Sequence, residues 1–225
     1  MTNLAIKDHA FIETPILRKS TSSTSPDVLT KIYQNDINLA VWQCELSDEL
    51  VNNVILLINQ QPNLKAVMTV TPEGVYQHIA EHLGEFQDKH VLCQHITLLV
   101  DMFCTLFELK RVGLRLTVLD RPMCPKFHVD KVPCRLITTF TGEATQWLAH
   151  ETADRTKLGA GGLGLPDDES GIYQNPKDIN QLTSGDVALL KGESWLDNLC
   201  GGLIHRSPAL KHGERRLLLT LDFIE

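Results

Sequence analysis

The chain lacks any run of about 18 consecutive apolar residues, so it offers no segment able to span a bilayer as a helix. Met1-Thr2-Asn3 leads into mixed polar sequence without an apolar stretch and cleavage site, and the expectation is a cytoplasmic chain with no membrane partner. Basic residues are the minority, 21 Lys and Arg against 28 Asp and Glu, for a net charge of −7. With a pI near 5.7, nucleic acid is not the expected partner. The six cysteines, at 44, 93, 104, 124, 134 and 200, contain no C-x-x-C pair and sit mostly among apolar neighbours, which points to reduced thiols. There is no internal repeat, no G-x-x-x-x-G-K-[ST] phosphate loop and no H-E-x-x-H. His78 and His82 stand four apart, but in the order His78-Ile79-Ala80-Glu81-His82, which lacks the zincin base and reads as a solvated helix face.

What is present is enough for a core: 225 residues, 43% of them hydrophobic, suit one large domain or a domain with an elaborate N-terminal extension. Residues 1–26, with the serine- and threonine-rich 19–26, read as a flexible tail that buries too little to offset its ordering entropy. Residues 27–110 read as α-rich. A short helix follows Ser25-Pro26-Asp27, a strand covers 37–42, and apolar spacing after Ser47 predicts a helix over 47–59. A β-prone run at 64–70 precedes a helix expected over 71–84, and Asp88 caps another running to about Glu108.

From about 111 the texture changes. Short β-branched or apolar runs at 114–119, 134–140, 144–148, 186–190, 202–205 and 216–223 alternate with turn residues, the pattern of a sandwich or barrel. The long interruption 149–181, with its glycines at 159–164, reads as a lid over a site.

The chemistry centres on Phe127-His128-Val129-Asp130. In an extended strand His128 and Asp130 project to one side about 7 Å apart along the chain. His205 can add a third ligand. Two imidazoles and one carboxylate on one face of a metal leave the other face open, which suits non-haem Fe(II).

In order, His128-x-Asp130, the glycine turn and strand of Gly185-Asp186-Val187-Ala188-Leu189-Leu190-Lys191-Gly192, His205-Arg206-Ser207-Pro208 and Arg215-Arg216-Leu217-Leu218-Leu219 resemble the second half of the Fe(II)/2-oxoglutarate-dependent dioxygenases. The resemblance covers roughly 114–225. It implies a double-stranded β-helix (jelly roll, cupin-like) metal-binding part over 111–225, giving an α+β protein with an α-rich N-terminal half. It also implies iron on His128, Asp130 and His205 as catalytic residues. 2-Oxoglutarate would be held by a basic residue 10 or 11 places after the distal histidine, Arg215 or Arg216. Neighbours on a strand face opposite ways, and Arg216 best matches the family's closing strand. The substrate, a small molecule or a protein, stays open.

Cys124-Pro125-Lys126-Phe127-His128-Val129-Asp130 with Leu189-Leu190-Lys191-Gly192 and His205-Arg206-Ser207-Pro208 also resembles a bacterial family of unknown function whose genes often neighbour those of zinc homeostasis. That resemblance implies an alternative, a non-catalytic cupin-like zinc protein, to which Cys124 or Cys134 could add a thiolate ligand. A jelly roll without metal, serving as an interaction module, is the third possibility.

Overall fold

The computed structural model describes residues 16–224, and the tail expected over 1–26 falls mostly outside them. Within 16–26 the chain does form structure. Lys19–Ser23 is a strand, β1, paired in parallel with β2 (Ile37–Trp42), because an extended polar segment meets its backbone hydrogen bonds on a sheet edge without burying its side chains. A 3-10 helix at Pro26–Tyr33 joins them.

Helix α1 (Asp48–Gln60) begins where Ser47 accepts a hydrogen bond from Leu50 N, as its sequence predicts. β3 (Lys65–Val70) and α2 (Val75–His82) follow. The helix starts four residues after the expected 71, since Thr71 Oγ1 closes a turn onto Gly74 N first. His78 and His82 lie exposed on α2. Helix α3 (Lys89–Leu106) presents Leu92, Ile96, Leu99, Val100 and Phe103 to the core.

The remaining strands are β4 (Val112–Leu119), β5 (Cys134–Thr141) and β6 (Gln146–Leu148), then β7 (Ile179–Gln181), β8 (Val187–Lys191), β9 (Ile204–Arg206) and β10 (Arg216–Asp222). A four-residue helix, α4 (Asp167–Ser170), lies between β6 and β7. Seven strands form one sheet in the order β1-β2-β8-β5-β10-β4-β3, antiparallel except for β1 with β2, and β7-β6-β9 form a second. The protein is thus a mixed α+β molecule built on a large, mainly antiparallel sheet.

Strand alternation sorts the core into two faces. Leu217, Leu219 and Leu221 of β10, with Leu136 and Leu189 on neighbouring strands, join the cluster that includes α1, α2 and α3. Leu218, Ile137, Ala188, Leu190, Leu39 and Val41 face the other way and pack with Leu203 and Trp147 of the smaller sheet's region. That second face carries the site.

Candidate metal centre

His128 lies just outside the regular strands but is paired to β9. His128 N donates to His205 O at 3.0 Å and His205 N donates to His128 O at 2.9 Å. Residues exchanging both bonds stand opposite one another with side chains on the same face, which brings the ring centroids to 4.5 Å. Val129 takes the other side, so Asp130 returns to the face of His128, as the two-residue alternation requires. Close packing behind Asp130 fixes the turn. Glu193 N donates to Asp130 O at 2.9 Å and Gly192 N to Pro133 O at 2.9 Å, and a Cβ on Gly192 would fall 2.0 Å from Val132 O and 2.9 Å from Asp130 O.

Each imidazole Nδ1 meets a carbonyl, that of Lys126 for His128 (2.9 Å) and that of Leu203 for His205 (3.1 Å). A carbonyl only accepts, so both Nδ1 atoms carry the proton and both Nε2 atoms present lone pairs. Those lone pairs face Asp130: His128 Nε2 is 3.8 Å from Oδ1 and His205 Nε2 is 3.4 Å from Oδ2. The three ligand atoms lie within 4.8 Å of one another. Three acceptors turned on one point repel unless a cation sits between them, and carbonyl-oriented imidazoles are the usual support of a metal site. Burial of His205 holds its pKa down at about 4, against the opposing pull of Asp130, so its imidazole is neutral and ready to ligate at pH 7.

Arg135, on β5, was not singled out in the sequence. Its Nη1 donates to Asp130 Oδ2 at 2.7 Å, while Nε and Nη2 donate to Asp222 Oδ1 and Oδ2 at 2.7 and 2.9 Å. Burial works against its charge, but hydrogen bonding to Asp222 and the field of Asp130 outweigh it and raise the guanidinium pKa. Its signal in the sequence is only a basic residue near the start of β5; the pairing of Arg135 with Asp222 in the β5–β10 register brings the contact about.

Arg216 opens β10 with 1% of its surface exposed, and it lines the same cavity as His128, Arg135 and His205. Nη1 donates to Glu143 O at 3.2 Å and Nη2 to Ser207 Oγ at 3.1 Å, while Nε is buried with no partner. Among the described residues no carboxylate pairs with it, and burial lowers its pKa to about 10. Arg215 is exposed and lines a separate surface pocket with Glu143 and Ser184. The cavity measures about 50 Å³.

Two expectations are corrected here. No residue of the 149–181 segment, expected as a lid, lines this cavity. The segment is tied down beside it: Asp167 accepts from Phe127 N at 3.0 Å and from Arg206 Nη1 at 2.8 Å, and Lys126 Nζ donates to Gly164 O and Leu165 O. The thiolate alternative also fails. Cys134 is fully buried on the helix side of the sheet, where burial drives its pKa upward, and neither it nor Cys124 joins the ligand group. The glycines at 159–164 form tight turns, with Gly159 and Gly164 at φ of 56° and 75°.

Residues 23–222 match the model of a family described as Protein of unknown function (DUF1826). The chain belongs to this family. No curated protein matches it. Among solved structures, AviO1 from Streptomyces viridochromogenes Tue57 is similar at 12% identity and TM-score 0.45, over 91% of this chain and 97% of that one. AtDAO1 (dioxygenase for auxin oxidation 1 from Arabidopsis thaliana), solved with 2-oxoglutarate, is similar at 8% identity and TM-score 0.49 over 92% of each chain. A putative oxygenase from Shewanella oneidensis is similar at 10% identity and TM-score 0.47, over 92% of this chain and 89% of that one. Among the described residues of this family member no helix is long and apolar enough to cross a membrane.

Proposed function

We propose that this DUF1826 chain is an Fe(II)- and 2-oxoglutarate-dependent oxygenase whose two sheets form a double-stranded β-helix. The carrying observation is one small cavity lined both by His128 and His205, two of the three clustered acceptors, and by Arg216, a buried guanidinium that pairs with no carboxylate among the described residues. A buried unpaired charge is costly, and an anionic co-substrate entering the cavity would compensate it. The donor set, two imidazoles and a carboxylate leaving one face open, fits iron.

In this reading His128, Asp130 and His205 hold the metal, and Arg216 receives the far carboxylate of 2-oxoglutarate through its free Nε–H. When bound, iron and 2-oxoglutarate supply oxygen activation coupled to loss of carbon dioxide. Arg135 occupies one lone pair of Asp130 Oδ2 and so fixes the orientation of the carboxylate that would hold the metal. Ser207 Oγ orients the Arg216 fork.

The test is metal analysis of anaerobically purified protein with titration of 2-oxoglutarate into its Fe(II) form. A visible charge-transfer band and slow succinate release support the oxygenase. Tightly bound zinc with neither signal replaces it with a metal-binding protein.

A further inference from the structure

A second cavity, of about 270 Å³, opens where β1 and β2 approach the chain following β6, and it shares no lining residue with the metal cavity. Arg18, Asn38, Trp147 and His150 form its walls. Arg18 is 4% exposed, a depth at which arginine is normally paired. Its Nη1 donates to the Asn35 carbonyl, its Nε is buried beside Gly201 with no partner, and among the described residues it forms no ion pair. His150 Nδ1 is buried and unpartnered as well.

The surroundings add positive charge. Lys191, 2% exposed, has a carbonyl (Gln34 O, 3.0 Å) and the ring of Trp195 as partners but no carboxylate. Burial first, then Arg18, lowers its pKa to about 8, and Arg18 also helps lower those of His150 and Arg155. Arg155 has its own counter-ion, Glu193 at 2.7 Å, and Asp36 partly offsets the lowering of the Lys191 pKa. Glu151 lines the cavity but is exposed. A chain of net charge −7 thus places a buried guanidinium with no ion-pair partner among the described residues, Arg18, in the wall of this opening, close enough to a second buried cation, Lys191, to lower its pKa.

We infer that this cavity binds a small anion, a carboxylate or phosphate group carried on a compact body, with Arg18 and His150 as donors and Trp147 as the apolar wall. The anion would supply the counter-charge that Arg18 lacks and an acceptor for His150 Nδ1 together. Trp147 stands opposite His205 in the β6–β9 register, so the site lies beside the metal centre without entering it.

The test is calorimetric titration of the full-length protein with sodium benzoate and, separately, inorganic phosphate. It is run on wild type, Arg18→Gln, His150→Ala and Arg216→Leu, each checked for folding by circular dichroism. Saturable binding of at least one probe is expected, weakened about 10- to 100-fold by Arg18→Gln, weakened by His150→Ala and unchanged by Arg216→Leu. The probe that saturates identifies the head group. No saturable binding of either probe overturns the assignment, as does wild-type affinity in Arg18→Gln or loss of binding in Arg216→Leu. If Arg18→Gln does not fold, undiminished binding in His150→Ala overturns it.

Discussion

Arg135 reaches Asp130 with one nitrogen and grips Asp222 with the other two, so a candidate metal ligand is held by a guanidinium that is itself locked to the closing strand. Support of this kind typically carries 10- to 100-fold in metal affinity. Arg135→Met should therefore raise the metal dissociation constant by about that factor while the ligands stay intact. Competition with a chromophoric chelator measures it, and an unchanged constant refutes the positioning role.

The ligands themselves come next. His128→Ala, Asp130→Ala and His205→Ala should each strip most of the bound metal from protein that stays folded, since a three-ligand site has no spare donor. Metal-to-protein ratios by elemental analysis decide this, and full occupancy in all three would remove the site.

Arg216→Leu and Arg215→Leu form a matched pair on adjacent, oppositely facing positions. Losing one partner of a buried charge pair costs about 2–5 kcal/mol, or about 30- to 4000-fold. Arg216→Leu should abolish 2-oxoglutarate binding and leave metal in place; Arg215→Leu should do little. Equal effects from the two would contradict the geometry of β10.

Gly192→Ala tests the turn behind Asp130. The added methyl meets the carbonyls of Val132 and Asp130, so the ligand turn must move. A stability loss of about 1–3 kcal/mol is expected, together with metal occupancy lower than that loss alone explains. Urea denaturation alongside metal analysis separates the two effects.

The acid limb of stability should carry the mark of His205. Its pKa falls from 6.5 unfolded to about 4 folded, so between those values the unfolded chain binds a proton that the native one does not. This contribution to metal-free stability is therefore complete above pH 6.5 and lost as pH falls toward 4. His205→Gln should flatten that slope in urea midpoints measured across the window; an unaltered slope would count against a neutral buried imidazole.

The alternation of a strand made the His128 and Asp130 pair legible, and the opposed facing of Arg215 and Arg216 follows from the same rule. Helix α1 was legible from Ser47 and the apolar spacing after it. Arg135 was not, because its role comes from lying opposite Asp222 across two strands whose register no local pattern encodes. The serine-rich 19–23 read as tail because composition reports side-chain burial, whereas β1 is held through its backbone. The 149–181 segment read as a lid because length alone was visible, and its anchoring through Asp167 depends on partners about 40 residues away in the chain.

The two-way backbone bond between His128 and His205 joins residues 77 positions apart (205 − 128). During synthesis His128 and Asp130 leave the ribosome long before β9 exists, and two donors alone hold a divalent ion weakly. Under the proposed function the nascent chain would therefore have little means of capturing a wrong metal early, the choice of ion being deferred until β9 pairs with His128 and the complete donor set forms at once.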